Sequence, residues 1–101
     1  MTREEAKNLK LFQIVRYNVK TEDLDKEDCW SIPYCGKIAV VTQKIVWDDF
    51  GEEIHIMFPM KSIGKQDFYD SVDELMNDWD NGHDVRLAEG FDTGADYIDL
   101  I

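Results

Sequence analysis

Two runs of β-branched and aromatic residues near the middle of the chain limit its fold more than any other feature. They cover residues 37–47 and 53–58, and they flank the turn sequence Asp-Asp-Phe-Gly at 48–51. Such runs on either side of a turn are typical of a β-hairpin, here with a four-residue loop. The fold must therefore contain one long hairpin with a covered apolar face.

The distribution of apolar residues along the two runs also predicts the hairpin register. Pairing Trp47 with Glu52 makes one face almost wholly apolar. The opposed pairs are then Ile45 with Ile54, Gln43 with Ile56 and Val41 with Phe58, with Lys44 opposite His55 on the other face. Because side chains alternate between faces, a slip of one residue would exchange the two faces.

Capping signals predict where two helices begin. Thr2 with Glu5 and Ser71 with Glu74 have the spacing of a capping box, in which each side chain accepts a hydrogen bond from a backbone N–H of the first turn. After Ser71, apolar residues recur at i, i+3, i+4 and i+7, which is one stripe of an amphipathic helix. The stripe consists of Val72, Leu75, Met76 and Trp79, and Gly82 is placed to end the helix. We therefore predict that Trp79 is a core residue.

The remaining strand signals are weaker. Alternation predicts a strand over residues 12–20, a short one at 85–87 and another at 97–101. The run that enters the hairpin from Gly36 resembles that of small SH3-like barrels. We predict one globular domain over residues 1–101, of the α+β class. Its small antiparallel sheet, bent or SH3-like in the manner of a partial barrel, would hold the long hairpin, with one amphipathic helix in the C-terminal half.

Acidic residues are concentrated in one half of the chain. The sequence holds 22 Asp and Glu against 11 Lys and Arg, a formal net charge of −11. Residues 1–47 carry seven acids and eight bases, whereas residues 48–101 carry fifteen acids and three bases. This excess would repel phosphates, so we expect no direct binding to nucleic acid. An acidic surface that serves only solubility is the simplest interpretation to set against a functional one.

The second predicted helix and its flanks supply the candidate partner-binding residues. Asp70, Glu74 and Asp78 are four residues apart, which places their carboxylates about 5 to 6 Å apart on one side of a helix. That spacing is comparable in scale to the charges along a nucleic-acid strand, so a basic cleft would accept it as a substitute. The full set is Asp67, Asp70, Asp73, Glu74, Asp78, Asp80 and Asp84.

The hairpin tip supplies a second group of candidates. Trp47 is followed by Asp48, Asp49 and Phe50. Aromatic side chains next to acids are typical of an interface anchor that meets arginine on a partner. We therefore add these four residues to the candidate partner-binding set.

Nothing in the sequence has the pattern of an active site. Residues 91–96, Phe-Asp-Thr-Gly-Ala-Asp, resemble the motif of aspartic proteases, which would make Asp92 a catalytic acid. That mechanism needs two aspartates that share a proton, and only seven residues follow Gly94 to complete the scaffold, so we interpret the motif as a turn with an exposed Asp. The cysteines and histidines, Cys29, Cys35, His55 and His83, lack metal-ligand spacing. We expect no enzymatic activity, no cofactor and no metal.

The leading interpretation is a small acidic binding protein that occupies the basic groove of a nucleic-acid enzyme and inhibits it. Chains of this type resemble phage-encoded nucleic-acid mimics, such as inhibitors of restriction enzymes and CRISPR nucleases. We expect such a protein in the cytoplasm, that of the host if it is phage-encoded, and away from membranes. The alternative is an SH3-like adaptor module that binds a peptide or subunit through its sheet and the loop from Trp30 to Tyr34. The oligomeric state stays open.

Overall fold

The helices and strands agree with the predicted class. A computed structural model describes residues 1–18, 33–47, 51–61 and 67–101. Its elements are α1 (Arg3–Lys7), β1 (Ile14–Tyr17), β2 (Ile38–Trp47), β3 (Gly51–Met60), α2 (Val72–Asp80), β4 (Arg86–Thr93), a 3-10 helix (Ala95–Tyr97) and β5 (Ile98–Leu100). The fold is α+β, with a small antiparallel sheet, a long hairpin and one main helix. No helix in the described ranges is long and apolar enough to cross a membrane.

The hairpin of β2 and β3 lies at the centre of the sheet. The strand order is β4-β3-β2-β1-β5, and all neighbouring strands are antiparallel. The predicted first strand is shorter than expected, because Phe12 has a φ of 68° and interrupts the extended backbone before Ile14. The strand predicted at 85–87 is longer, because pairing with β3 continues to Thr93.

The predicted hairpin register is wrong by one residue. Trp47 pairs with Gly51 instead of Glu52, so three residues connect the strands, and Gly51 adopts a φ of 113° that favours glycine. Consequently Lys44 lies opposite Ile54, and Ile45 lies opposite Glu53 and is exposed. The longer loop that we predicted would have shifted every pair.

An irregularity in β2 restores the apolar face further along. The register shifts between Val41 and Gln43, which places Val41 opposite Ile56 on the buried face. Between the shift and the turn, Lys44 lies on that face, and its ammonium donates to the carbonyl oxygens of Lys7 and Leu9 at the end of α1. A cation is favourable there because carbonyl groups at the end of a helix lack partners.

The two faces of the sheet are covered by different elements. On the face that we call the core face, strand residues such as Val15 and Phe58 pack with Ala6 and Leu9 from the α1 region. On the opposite face, which we call the helix face, Ile38 packs with residues of α2 and of the segment before it. Neighbouring strand residues point to opposite faces, so the alternation in β1 and β2 serves both clusters.

Aromatic rings fill the core face. The ring of Phe58 lies 4.8 Å from that of Tyr34, 5.5 Å from that of Phe68 and 5.4 Å from that of Phe91, measured between centroids. Tyr34 also stacks on Phe68 at 4.9 Å. Tilted and edge contacts at these distances add to the free energy gained from burial alone. This cluster is the main apolar core of the described residues.

Candidate functional site

Helix α2 is held against the sheet at its N-terminal end. The Ile38 N–H donates to the carbonyl oxygen of Tyr69 at 2.9 Å, and the Arg16 guanidinium donates to that of Asp70 at 2.7 Å. The Ser71 hydroxyl accepts from the Glu74 N–H at 3.2 Å, which confirms Ser71 as the N-cap. The second bond of the predicted capping box is replaced, because the Glu74 carboxylate accepts from the Asp70 N–H at 3.5 Å and pairs with Lys61. These contacts fix which side of the helix faces the sheet.

On one side of α2 the carboxylates are occupied by groups of the protein itself. Lys37 forms an ion pair with Asp70, Lys61 pairs with Glu74 at 2.7 Å, and the Tyr69 hydroxyl donates to Asp78 at 2.6 Å. The Lys61 ammonium also lies 5.5 Å from the centre of the Tyr69 ring. The three carboxylates that we predicted to lie along one side of the helix and bind a partner are therefore each in contact with a group of the protein itself.

These contacts shift the titration of the groups involved. The hydrogen bond from Lys37 lowers the pKa of Asp70 below its ordinary value, and the bond to Glu74 raises the pKa of Lys61. Burial, together with the bond to Asp78, raises the pKa of Tyr69 to about 12. Each shift favours the protonation state that keeps the contact.

On the other side of α2, two carboxylates have no partner among the described residues. They belong to Asp73 and Asp80, and both side chains are exposed. Relative to Met76 they lie at i−3 and i+4, so all three residues share one surface of the helix. The unpaired charge of α2 is therefore concentrated beside an apolar side chain.

The last two predicted acids lie at the ends of this region. Asp67 is exposed, and its backbone oxygen accepts from the Lys61 N–H at 2.8 Å. Asp84 pairs with the guanidinium of Arg86 at 2.7 Å. Since Arg86 is the one base after Asp67 in the sequence, this pair uses the local positive charge.

An apolar groove lies between α2 and the helix face of the sheet, a feature that sequence analysis missed. Its volume is about 290 Å³, and it is lined by Val40, Pro59, Leu75, Met76, Trp79, Val85 and Leu87. The side chains of Trp79, Met76 and Leu87 are 64%, 43% and 40% exposed. The groove is therefore apolar and open to solvent.

The prediction that Trp79 is a core residue is wrong. Leu75, which is 6% exposed, and Val72 pack on the sheet from the first turns of α2. Trp79 belongs to the last turn and lines the rim of the groove. A stripe of apolar residues predicts which side of a helix faces the sheet, but it does not predict how much of the helix the sheet covers.

The candidates at the hairpin tip lie outside the description. The backbone of Trp47 ends β2, but its side chain and residues 48–50, with Asp48, Asp49 and Phe50, are not among the described groups. Residues 30–32 of the alternative binding loop are outside it as well. Tyr34 of that loop is 8% exposed and packs in the core.

Asp92 lies on the regular strand β4 and not in the turn that we predicted. His55 Nδ1 is 2.9 Å from Asp92 Oδ1, across the β3–β4 pair. A hydrogen bond with Asp92, and then the repulsion between the two charges, raise the pKa of Glu53. In the described part of the chain, no three His, Cys, Asp or Glu side chains come together to hold a metal ion.

No known protein family, curated protein or solved structure matches the chain. The function is therefore argued from the site. Its two parts are the unpaired carboxylates Asp73 and Asp80 and the open apolar groove beside them. Such a surface can bind a group that is both apolar and positively charged.

Proposed function

We propose that this chain is a small non-enzymatic binding protein that docks on the basic, nucleic-acid-binding surface of another protein and blocks it. The acids of α2 make the contact. The large negative net charge supports the proposal, because complementary fields speed association with a basic partner and disfavour other partners. The observation that carries it is the carboxylate of Asp80, which has no partner among the described residues.

Asp80 does not stabilise the helix. Acids in the first turn, such as Asp73, interact favourably with the positive end of the helix dipole, and Asp78 accepts a hydrogen bond from Tyr69. Asp80 is the last residue of α2, where a negative charge opposes the dipole, and no base is present in that turn. A charge that costs stability and has no partner within the described fold supports a role in binding.

The contacts within the fold narrow the candidate set. Asp70, Glu74 and Asp84 each pair with a base of the protein itself, so a partner would have to displace that base. Asp73 and Asp80 are available without any such exchange. We therefore assign the main electrostatic contact to these two residues and a weaker, long-range contribution to the others.

The test is affinity capture from a cell lysate on three immobilised proteins: the wild type, the double variant Asp73→Asn/Asp80→Asn, and the control Glu4→Gln/Asp99→Asn. The control removes the same charge from exposed positions on α1 and β5. We expect the wild type and the control to retain nucleic-acid-binding proteins that salt and duplex DNA both release. The α2 variant should lose them.

Two results would contradict the proposal. Equal retention by all three proteins would show that α2 is not the contact. Capture that resists both salt and DNA would show that the partner surface is not a nucleic-acid-binding one. In the second case an adaptor role would replace inhibition by occupancy.

A further inference from the structure

We propose that the groove beside α2 binds a short basic segment of the partner, in which an apolar side chain enters the groove and a neighbouring arginine or lysine lies on the carboxylates of its rim. This inference rests on the proposed function in one respect, since both take the partner to be basic. It adds the apolar half of the contact and its place.

Three of the eight large apolar side chains that are exposed among the described residues line this one groove, which is the first argument. Single exposed apolar side chains are normal on a protein surface, whereas several that line one depression mark an interaction site. Trp79 and Met76 belong to α2 and lie across the groove from Leu87 of β4. The buried Leu75 is also part of the lining. A tryptophan with this exposure is the residue type most often found at the centre of a binding surface.

The size of the groove limits what can fill it. Its volume of about 290 Å³ lies at the lower end of the range of about 300–1,000 Å³ for small-molecule sites. The lining residues are apolar apart from the indole N–H of Trp79, so the groove offers little to orient a polar cofactor. It suits one or two apolar side chains of a peptide segment.

The rim of the groove decides the charge of that segment. Met76 belongs to the lining, and Asp73 and Asp80 are its neighbours on the helix surface. The indole of Trp79 adds an aromatic face that attracts a guanidinium or ammonium group. A cation next to an apolar side chain therefore gains from both the carboxylates and the ring, and an acidic segment would be repelled.

A second copy of the same chain fits this surface poorly. Two molecules with a net charge of −11 repel each other. Five of the described bases are already engaged within the fold: Lys37 with Asp70, Lys61 with Glu74, Arg86 with Asp84, and Arg16 and Lys44 with carbonyl oxygens. The basic segment should thus come from a different protein.

The test uses three short synthetic peptides as probes, followed by NMR shift mapping on the ¹⁵N-labelled protein. One peptide combines Arg and Leu, the second replaces each Leu by Ser at the same charge, and the third replaces each Arg by Ser. We expect only the Arg/Leu peptide to shift the signals of the groove residues. In the Trp79→Ala variant, the affinity for the Arg/Leu peptide should fall by about tenfold, as truncation of an anchor residue does.

Two further variants separate the groove from general effects. Leu87→Ser changes the opposite wall of the groove and should also weaken binding of the Arg/Leu peptide. Phe12→Ala removes an aromatic side chain that is exposed away from the groove and should change nothing. A dispersed amide spectrum of each variant shows that it is folded before it is titrated.

The inference is overturned if no peptide shifts the groove signals, or if the Arg/Ser peptide binds as well as the Arg/Leu peptide. It is also overturned if the groove signals depend on protein concentration without peptide, which would show that a second copy fills the groove. Peptide binding that is unchanged by salt and by Asp73→Asn/Asp80→Asn would also overturn it, because the rim carboxylates would then make no contact. The proposed function fails separately, when the proteins captured from a lysate resist both salt and duplex DNA although the Arg/Leu peptide still binds the groove. The two failures therefore have different readouts.

Discussion

Large apolar residues are buried on the core face of the sheet, whereas they are exposed at the groove on its helix face. On the core face, Phe58 lies among four other rings, those of Tyr17, Tyr34, Phe68 and Phe91, and is fully buried. At the groove, Trp79 and Met76 are open to solvent beside unpaired carboxylates. The comparison shows that residue type alone does not decide the role of an aromatic side chain. What covers it does.

Truncation of one ring on each side tests this comparison with the largest expected effect. Phe58→Ala should lower the free energy of unfolding by about 3–5 kcal/mol, because it removes a buried ring and leaves a cavity. Trp79→Ala should change it by about 0.5 kcal/mol or less, as exposed positions usually do. Denaturant unfolding of both variants measures the difference, and similar losses would mean that Trp79 is part of the core.

A methyl group added to the middle of β4 should have the next largest effect. A Cβ at Gly90 would lie 2.6 Å from the backbone oxygen of Ile56 and 2.7 Å from Cγ of Met57. The oxygen belongs to β3 and cannot move without disturbing the strand pairing, so Gly90→Ala should cost about 1–3 kcal/mol. In the control Gly94→Ala, the nearest atom would be Glu52 Oε1 at 3.7 Å, and its midpoint of thermal unfolding should stay near that of the wild type.

The contacts of Tyr69 and Lys61 with the acids of α2 should make the stability of the protein depend on pH in the alkaline range. Because the pKa of Tyr69 is raised from 10.0 to about 12, its contribution to stability is complete below pH 10 and is lost as the pH rises through 12. The raised pKa of Lys61 acts in the same direction. Tyr69→Phe should lose about 1 kcal/mol at neutral pH with the hydrogen bond to Asp78.

The readout is the free energy of unfolding of both proteins between neutral pH and pH 12. The wild type should lose stability more steeply above pH 10 than Tyr69→Phe, so the two curves converge. Parallel curves would show that Tyr69 does not titrate differently in the folded protein.

The side of α2 that carries Asp73 and Asp80, which we call the open side, should give the smallest changes in the free energy of unfolding. The two residues should change it in opposite directions. Asp80→Asn removes a negative charge from the end of the helix and should raise the free energy of unfolding by about 0.3–1 kcal/mol. Asp73→Asn removes a favourable charge from the first turn and should lower it by a similar amount. Both changes should weaken binding, so a variant more stable than the wild type would bind less well. A stability loss in Asp80→Asn would point to an intramolecular partner.

Local signals in the sequence predicted the elements of the fold well. The caps at Thr2 and Ser71 depend on contacts within one helical turn, and both are present. The long hairpin follows from two apolar runs and a turn, and it also forms, although with another register and a shorter connection than predicted. These features are decided by residues close together in the chain.

The register and the site depend on contacts that sequence spacing does not report. A three-residue connection and the shift after Val41 changed the hairpin pairs, and the bases that occupy Asp70 and Glu74 come from residues 33 and 13 positions away. The groove is formed by α2, β2, β3 and β4 together. Its signals in the sequence are the apolar stripe of α2 and the pair Val85 and Leu87, but their spacing does not show that they line one groove.

The salt dependence of binding to a captured partner tests the central claim most directly. The affinity of the wild type should fall as salt rises, because unpaired carboxylates meet a basic surface. Asp73→Asn/Asp80→Asn should give a shallower slope of log affinity against log salt, whereas Glu4→Gln/Asp99→Asn should keep the wild-type slope. Equal slopes for the two double variants would contradict the assignment of the contact to the open side of α2.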